Sequence, residues 1–281
     1  MNRKLDFDSS LINLLKLSIR EDLGKGDATS NILVPKDNKS IAHIIAREDA
    51  IICGIPVAKK IFELIDSSIK FEACVVDGGR VSNKEIIATM SGATRSILMG
   101  ERLALNFLQR LSGIATLTHK FVEAVYPDKI KILDTRKTTP LWRRLEKYAV
   151  VMGGGENHRF GLYDQILIKD NHIRAVGSVT KALEITMRKN KGKLPVIIEI
   201  QNKEELKEVL KFNVDVIMLD NMSLKEIKKC VDIIKGKSEI EISGNVNLNN
   251  IKDFKGLKID RISIGALTHS AKAVDITLEM L

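Results

Sequence analysis

The chain has 281 residues, 44% of them hydrophobic, which is enough to fill the core of one large α/β unit or of two ordinary domains. Its formal net charge of +9 favours anionic partners, whether nucleic acid, an acidic membrane surface or small phosphates and carboxylates, and composition does not choose among them. The three cysteines are widely separated and form no C-x-x-C pair, so they indicate neither a disulfide framework nor a structural zinc site.

The amino terminus carries positive charges without an apolar run behind them. No stretch of the sequence approaches the roughly 18 consecutive apolar residues that a membrane-spanning helix needs. Together with the isolated cysteines, this predicts a cytoplasmic protein that is neither secreted nor inserted into a membrane.

The first part of the chain predicts a small mixed α/β domain. The segment SSLINLLKLSIRED begins with serines that can cap a helix and places its leucines near one face, which indicates an amphipathic helix. From about Ser40 to Thr94, short β-like runs flank a helical segment that Pro56 opens. A long helical stretch follows from about Ser96 to Val125, with Gly113 as the candidate position for a break.

Six short apolar runs alternate with helical patterns in the second half: IKILDT, QILIKD, PVIIEIQ, DVIMLDN, EIEISGN and RISIGA. Near-continuous apolar strands separated by helices are typical of a parallel sheet that is buried on both faces. This rhythm predicts a barrel of the TIM type or an incomplete relative of it, with a doubly wound open sheet as the alternative.

Polar residues follow the predicted strands, at the edge where parallel-barrel enzymes place their chemistry. Arg136, Lys137, Arg159 and Lys169 bring four cations to this rim, with His158 among them. Arginine binds carboxylate or phosphate through a planar pair of donors and lysine supplies a compact charge, so the mixture predicts a strongly acidic ligand. For any one of these residues, a solvated surface position is the ordinary alternative.

Two carboxylates are expected at the same rim, because Glu199 lies inside VIIEIQ and Asp220 ends VIMLD. A Mg²⁺ ion that is held partly through ligand phosphates needs only one or two carboxylates from the protein. An internal ion pair with Lys169 or Lys137 is the alternative use of these side chains.

Two turns are candidate phosphate sites. Ser243, Gly244 and Asn245 form one of them, and Gly265 and Ala266 form the other. Each precedes a possible helix, where backbone N–H groups and the helix dipole favour phosphate, and barrel phosphate sites often follow the last strands. The P-loop signature lacks its first glycine, and no G-x-G-x-x-G after a strand, H-E-x-x-H or G-x-S-x-G motif occurs.

A glycine run and three histidines carry weaker signals. The glycines at 153–155 could approach an anion through their N–H groups, but such a run is also an ordinary helix stop. His43, His119 and His269 are expected to pack or to lie on a polar surface rather than to bind metal.

Four motifs, DTRKTTP, LEKYAV, GGGENHRFGL and LIKDNHI, resemble in order and spacing the signature of the quinolinate phosphoribosyltransferases, also called decarboxylating nicotinate-nucleotide pyrophosphorylases. Matches continue over nearly the whole chain in EDLGKGDATS, GERLALNFLQRLSGIAT, LDN and GALTHS. The resemblance implies an N-terminal α/β sandwich domain and an incomplete α/β barrel, which we place at residues 1–107 and 108–269, with a tail, 270–281, expected to pack on the first domain.

The resemblance also implies an activity. Quinolinate and phosphoribosyl pyrophosphate would give nicotinate mononucleotide, pyrophosphate and carbon dioxide with Mg²⁺, in a homodimer or a hexamer built from such dimers. Carried over by position, the substrate-binding groups that the resemblance implies are Thr135, Arg136, Lys137, His158, Arg159 and Lys169, with Arg102 from the neighbouring subunit. The groups beside the ribose and the metal are Glu199 and Asp220, and the catalytic candidates are Lys137, Lys169, Glu199 and Asp220. The phosphate-binding turns are Ser243, Gly244, Asn245 and Ile264, Gly265, Ala266.

Two segments depart from the family's usual pattern. Leu141, Trp142 and Arg143 follow TTP where Gly-Leu-Arg is usual, which would alter a loop near the substrate. Asn245 stands where many members have a second glycine, and because asparagine tolerates positive φ better than most residues, the turn is expected to survive.

Two alternatives to this activity exist. The nearer one is a paralogous phosphoribosyltransferase of the same fold that acts on another acidic ring or nucleotide. The other is a basic nucleic-acid-binding protein on a barrel scaffold, but an aromatic content of 4% leaves few stacking platforms, and no known nucleic-acid motif appears. The prediction is therefore an enzyme for small anionic substrates, without nucleic acid or membrane as partner.

Overall fold

A computed structural model describes residues 5–281, which form two compact units. The first unit comprises the residues up to His119, Thr139–Gly154 and Ser270–Leu281, and the second comprises Lys120–Thr138 and Gly155–His269. Within residues 5–281, every helix is too short or too polar to cross a bilayer.

The elements are numbered in chain order. Up to the long helix they are α1 (Ser9–Leu23), α2 (Ala28–Leu33), β1 (Lys39–Ala46), β2 (Ala50–Ile51), α3 (Ile55–Ile65), β3 (Lys70–Ala73), β4 (Arg80–Val81), β5 (Ile86–Ala93) and α4 (Thr94–Val125). They continue with β6 (Lys131–Leu133), α5 (Arg143–Met152), β7 (Ile166–Ile168), α6 (Asp170–Val176), α7 (Val179–Asn190), β8 (Val196–Ile200), α8 (Lys203–Val209), β9 (Val216–Asp220), α9 (Leu224–Ile234), β10 (Glu239–Ser243), a 3₁₀ turn (Ile251–Phe254), β11 (Arg261–Ser263), α10 (Ala266–His269) and β12 (Ile276–Met280).

The N-terminal cap of helix α1 lies one residue before the serines that were expected to provide it. The Asp8 carboxylate accepts a hydrogen bond from the backbone N–H of Leu11 at 3.0 Å, so Asp8 is the cap and Ser9 is the first helical residue. A carboxylate is favoured here because the positive end of the helix dipole stabilises its charge. The amphipathic face is as predicted, since Leu11 and Leu15 are buried.

Helix α4 runs through Gly113 without the predicted break. A Cβ atom at this position would lie 2.1 Å from the backbone oxygen of Lys272, so the glycine permits close approach of the C-terminal segment. The backbone N–H of Val274 donates to the Gln109 oxygen at 3.0 Å, one turn earlier on the helix. The glycine that suggested a break in the helix therefore serves a packing contact instead.

The first unit is organised around a four-stranded antiparallel sheet in the order β12-β1-β5-β3. Strand β1 buries alternate residues, Ala42, Ile44 and Ala46, so one face of the sheet supplies the core. Strand β12, from the C-terminal segment, completes this sheet by pairing with β1.

The second unit contains a six-stranded parallel sheet in the order β7-β8-β9-β10-β11-β6. Strands β7 to β11 are neighbours in chain order, and the first strand of this sheet, β6, pairs with its last strand, β11. A doubly wound sheet reverses its strand order in the middle, whereas this order is that of a barrel. Because β6 and β7 are the two ends of the sheet, the barrel is open between them, which confirms the predicted incomplete barrel.

All six strands of this sheet point the same way, so their carboxyl ends meet at one edge. The strands end at Leu133, Ile168, Ile200, Asp220, Ser243 and Ser263. The polar runs recognised in the sequence follow these ends directly, which brings residues separated by more than a hundred positions to a single rim.

Candidate anion-binding site

A cavity of about 700 Å³ opens at this rim, and every residue lining it belongs to the second unit. Its lining includes all the barrel residues that the sequence singled out: Thr135, Arg136, Lys137, His158, Arg159, Lys169, Glu199, Asp220, Ser243, Gly244, Asn245, Ile264, Gly265 and Ala266. Arg102 is not among them. It lies on α4 in the first unit, its side chain is 61% exposed, and its Nη2 atom lies 3.9 Å from Glu101 Oε1.

Arg136 and Arg159 are close enough for each charge to affect the other. Burial lowers the pKa of the Arg159 guanidinium, the charge of Arg136 lowers it further, and Asp164 partly offsets both effects. The Asp164 carboxylate also accepts hydrogen bonds from the backbone N–H groups of Phe160 and Gly161, at 2.6 and 3.0 Å, and so fixes the turn that follows Arg159. Two neighbouring guanidinium groups that repel each other are placed to bind a shared anion.

Lys137 is held against the turn that follows β11. The Thr268 hydroxyl donates to the Lys137 backbone oxygen at 2.8 Å, and the Lys137 N–H donates to Thr135 Oγ1 at 3.1 Å. A Cβ atom on Gly265 would lie 2.8 Å from Lys137 Cδ, so the lysine side chain crosses the turn directly against this glycine. A cation and a candidate phosphate turn are thereby brought together.

Glu199 and Asp220 lie on adjacent strands, β8 and β9, and both line the cavity. Burial raises the pKa of Glu199, the negative charge of Asp220 raises it further, and Lys169 partly offsets the increase. Lys169 Nζ lies 3.7 Å from Glu199 Oε2, so the ion pair that the sequence left as an alternative is present. The pair nevertheless lies inside the cavity, where a charged ligand could compete for either partner.

The donor set of the cavity suits a hard cation that is shared with a phosphate ligand. Residues 5–281 contain no group of three His, Cys, Asp or Glu side chains that could hold a metal ion alone. Two mutually repelling carboxylates, Glu199 and Asp220, would gain from a cation between them, and Mg²⁺ usually takes its other oxygens from water and substrate. The residues present therefore fit Mg²⁺ bound together with a phosphorylated substrate.

The turn after β10 keeps the backbone conformation of a glycine turn. Gly244 and Asn245 both have positive φ, at 89° and 52°, and Asn221 on the facing turn has φ of 53°. A Cβ atom on Gly244 would lie 2.2 Å from Asn221 Oδ1, which requires glycine there. Asn245 Nδ2 donates to that same oxygen at 3.2 Å, so the asparagine adopts the left-handed conformation and also ties the two turns together.

The other departure, after TTP, lies in the first unit. Leu141 has φ of 68° and is 84% exposed, so a leucine occupies a backbone conformation that favours the usual glycine. Trp142 stacks on Phe107 of α4 with ring centroids 4.4 Å apart. This aromatic contact accommodates Trp142, which is larger than the leucine usual at its position.

One lining residue was not anticipated. Asn221, which ends the run DVIMLDN, lines the cavity as its place after a strand indicates, but so does His269, which was expected only to pack or to lie on a polar surface. Its position on α10, directly after the turn at 264–266, is the signal that could have identified it. By contrast, Gly153 does not line the cavity: it ends α5, and a Cβ atom there would lie 2.3 Å from the Ala115 oxygen.

The fold and this cavity define an incomplete-barrel protein with a cation-lined cavity, suited to small polyanions, at the carboxyl ends of its parallel strands. Residues 27–112 match the family model described as quinolinate phosphoribosyl transferase, N-terminal domain, and residues 114–279 match that of the C-terminal domain. The chain therefore belongs to the quinolinate phosphoribosyltransferase family, as the sequence motifs predicted.

Individual proteins agree with this assignment. The chain is 42% identical over 289 residues to "Quinolinate phosphoribosyltransferase [decarboxylating] 2b, mitochondrial" of Nicotiana tabacum, covering 96% of this chain and 82% of that protein. It is 40% identical over 270 residues to "Probable nicotinate-nucleotide pyrophosphorylase [carboxylating]" of Bacillus subtilis (strain 168), covering 96% and 93%. The crystal structure of NadC from Streptococcus pyogenes superimposes with a TM-score of 0.94 at 42% identity, covering 99% of this chain and 100% of that one.

Proposed function

We propose that the protein transfers a phosphoribosyl group from phosphoribosyl pyrophosphate to quinolinate and decarboxylates the product to nicotinate mononucleotide. The observation that carries this proposal is a single cavity in which Arg136, Lys137, Arg159 and Lys169 face the carboxylate Glu199. The names of the relatives support the same reaction.

Quinolinate carries two adjacent carboxylates, and phosphoribosyl pyrophosphate carries several phosphate charges. Bringing two such anions together in water is opposed by their repulsion, which a rim of cations offsets. Arg136 and Arg159 are the groups suited to the dicarboxylate, because each offers two parallel N–H donors. The turns at 243–245 and 264–266 are suited to the phosphates, and Lys137 adjoins the second of them.

In the transfer step, the pyridine nitrogen bonds to the anomeric carbon while the bond from that carbon to the pyrophosphate oxygen breaks. Positive charge develops on the sugar, and the carboxylates of Glu199 and Asp220 are the cavity's groups that can stabilise it. Glu199 and Asp220 are also the residues that would hold Mg²⁺, which when bound would supply positive charge for the departing pyrophosphate. Lys169, at 3.7 Å from Glu199, can hold a carboxylate of quinolinate beside the reacting sugar.

In the second step, the bond between the ring and its C2 carboxylate breaks, carbon dioxide leaves, and the ring carbon takes a proton. The electron pair left on C2 is stabilised by the adjacent, now positively charged, ring nitrogen. Exclusion of water from the cavity when the substrates are bound would favour this loss of charge from the carboxylate.

We further propose a homodimer, or a hexamer of such dimers, in which Arg102 completes the cavity of the neighbouring subunit. Three features support this: the Arg102 side chain is largely exposed, its contact with Glu101 is long, and it does not line the cavity of its own chain. A cytoplasmic location stays a prediction from the sequence.

The proposal is tested by incubating the protein with Mg²⁺, phosphoribosyl pyrophosphate and quinolinate labelled in the C2 carboxylate. Labelled carbon dioxide and nicotinate mononucleotide should form in equal amounts. Lys137→Gln should abolish formation of both products. Lys131→Gln should not, because Lys131 lies at the amino end of β6, does not line the cavity and pairs with Glu156 at 3.7 Å.

Nicotinate, which lacks the second carboxylate, is the control substrate. It should react with a kcat/KM lower by about 10²-fold or more, because the cations would face each other without their anion. A similar kcat/KM for nicotinate would contradict quinolinate as the specific substrate. So would a product formed from another acidic ring when none forms from quinolinate.

A further inference from the structure

The interior of the barrel is apolar on one side only. Below the cavity, strands β7, β8 and β9 contribute a buried cluster of Leu167, Ile197, Val216 and Met218, the kind of filling that barrels usually have. On the other side, β10 and β11 contribute charged residues. None of the sequence motifs used to identify the site includes these charged residues.

Glu241 is the centre of this polar side. It lies on β10 two residues before Ser243, which lines the cavity, so both side chains point into the barrel. Its side chain is completely buried. Oε2 lies 3.1 Å from Arg261 Nε on the paired strand, and Oε1 lies 3.3 Å from Nε2 of His158, whose side chain is 6% exposed.

These contacts are close but imperfectly aligned. Both carboxylate oxygens of Glu241, Arg261 Nε and His158 Nε2 are shielded from solvent, yet their directions fall short of regular hydrogen bonds. Buried charges held this way usually stabilise a fold less than apolar side chains of the same size would. A carboxylate at this position is therefore better explained by what it does to its neighbours than by stability.

His158 shows what that effect is. Its Nδ1 atom accepts a hydrogen bond from the backbone N–H of Arg159 at 2.8 Å, so a neutral imidazole with this contact carries its proton on Nε2. That Nε2–H faces Glu241, while the backbone N–H of His158 itself donates to Asp134 Oδ1 at 2.9 Å. The ring is thus held between Glu241 on one side and the Arg159 backbone on the other.

We propose that Glu241 is a positioning residue for substrate binding: it holds the His158 ring from below the cavity, and His158 in turn holds Arg159 in place to receive a carboxylate of the substrate. This inference rests on the proposed function for the identity of the substrate. The arrangement parallels metal sites, where a buried carboxylate orients a histidine through its second nitrogen.

The chain offers a matched control for this role. Glu239 lies on the same strand, points to the same side, and also contacts Arg261, at 3.4 Å. Its side chain is 48% exposed, whereas that of Glu241 is completely buried. Glu241→Leu removes both contacts, whereas Glu239→Leu removes only the one with Arg261.

Two measurements on the full-length protein test the proposal. The first is the nuclear magnetic resonance signal of the His158 imidazole, assigned through its loss in His158→Asn. In the wild type, Nδ1 should be unprotonated and the Nε2 proton protected from exchange with water. Protection should be lost in Glu241→Leu and retained in Glu239→Leu.

The second measurement is calorimetric titration with quinolinate. Glu241→Leu should bind about tenfold more weakly or worse, because the buried carboxylate that holds the His158 ring is lost, and Glu239→Leu should stay within about twofold of the wild type. Circular dichroism checks that both variants fold.

Several results would overturn the proposal: wild-type affinity in Glu241→Leu, the same loss of affinity in both variants, or retained protection of the Nε2 proton without Glu241. If Glu241→Leu does not fold, the wild-type spectrum decides, because an exposed Nε2 proton or a protonated Nδ1 contradicts the role. If the wild type binds no quinolinate, the proposed function fails, while the histidine signals still test the positioning of the ring.

Discussion

Lys169 and Glu199 show how one contact can serve stability and function to different degrees. Their atoms are 3.7 Å apart, and the Lys169 side chain is 48% exposed whereas that of Glu199 is 11% exposed. An ion pair with one solvated partner contributes little to folding. Both groups lie in the cavity, so their charges remain available to a ligand.

Lys169→Ala should therefore lower turnover of quinolinate by about 10²-fold, as loss of a charge that is placed at a reacting anion does. The free energy of unfolding should change by less than about 1 kcal/mol, because the lost ion pair is partly solvated. Enzyme assays and urea denaturation measure the two effects. Lys181→Ala, an exposed lysine on α7, is the control, and a loss of several kcal/mol in Lys169→Ala alone would show a structural ion pair instead.

Glu199 predicts a pH dependence of stability. Its pKa is raised in the folded protein, first by burial and then by Asp220, so the folded state binds this proton more tightly than the unfolded state does. The corresponding stability is present at acidic pH and is lost as the pH rises through the folded-state pKa. Glu199→Gln cannot lose a proton there, so it should be more stable than the wild type at neutral pH but inactive.

The stability difference should disappear towards the ordinary pKa of glutamate, about 4.3, where the wild-type side chain is protonated as well. Thermal unfolding of both proteins across this pH range measures it. Glu184→Gln, which removes an exposed carboxylate on α7, is the control variant. A Glu199→Gln variant that is less stable than the wild type at neutral pH would mean that the ion pair with Lys169 outweighs burial.

At the scale of elements, helix α4 and the C-terminal segment depend on each other. Gly113 lets the backbone of Lys272 approach, and Arg110 Nη1 donates to the Ala271 oxygen at 3.0 Å. The same arginine donates from Nη2 to the completely buried carboxylate of Glu146 on α5, at 2.9 Å. Arg110 thus joins α4 both to α5 and to the segment before β12.

Gly113→Ala should destabilise the protein although alanine is the better helix former by about 1 kcal/mol. The added methyl group would lie 2.1 Å from the Lys272 oxygen, so the C-terminal segment must move, at a cost of about 1–3 kcal/mol. Asn106→Ala, on an exposed position of the same helix, should be neutral or stabilising. Urea denaturation compares the two; a stabilised Gly113→Ala would show that the segment yields without cost.

At the scale of the whole molecule, the position of Arg102 bears on how many chains build one active site. The cavity is lined by the second unit alone, whereas the family resemblance assigns Arg102, on α4 in the first unit, to a neighbour's substrate. If that assignment holds, a single chain carries most of a site and one element of another.

Mixing two inactive variants tests this sharing. Arg102→Ala and Lys169→Ala homodimers should each be nearly inactive, but a mixed dimer has one site with both residues intact. Random exchange of equal amounts makes about half of the dimers mixed, so activity should recover to roughly a quarter of the wild-type value. No recovery after exchange, verified by mass spectrometry of tagged chains, would place Arg102 in its own chain's site or outside the chemistry.

The sequence by itself determined the parallel sheet, its incomplete barrel and the rim residues. Apolar runs at regular intervals specify strands, and parallel strands must present their carboxyl ends together, so residues such as Lys137 and Asp220 could be assigned to one site without coordinates. The motifs also determined the family, because their order and spacing extend over nearly the whole chain.

Only the tertiary structure decided the surroundings of Glu241 and of Gly113. In EIEIS, the two glutamates have the same sequence context, and packing in the interior of the barrel is what buries Glu241 completely while Glu239 stays half exposed. In α4, a glycine indicates a break until a distant backbone, that of Lys272, is found against it. Both depend on contacts between residues far apart in the chain, which local patterns of hydrophobicity and propensity do not encode.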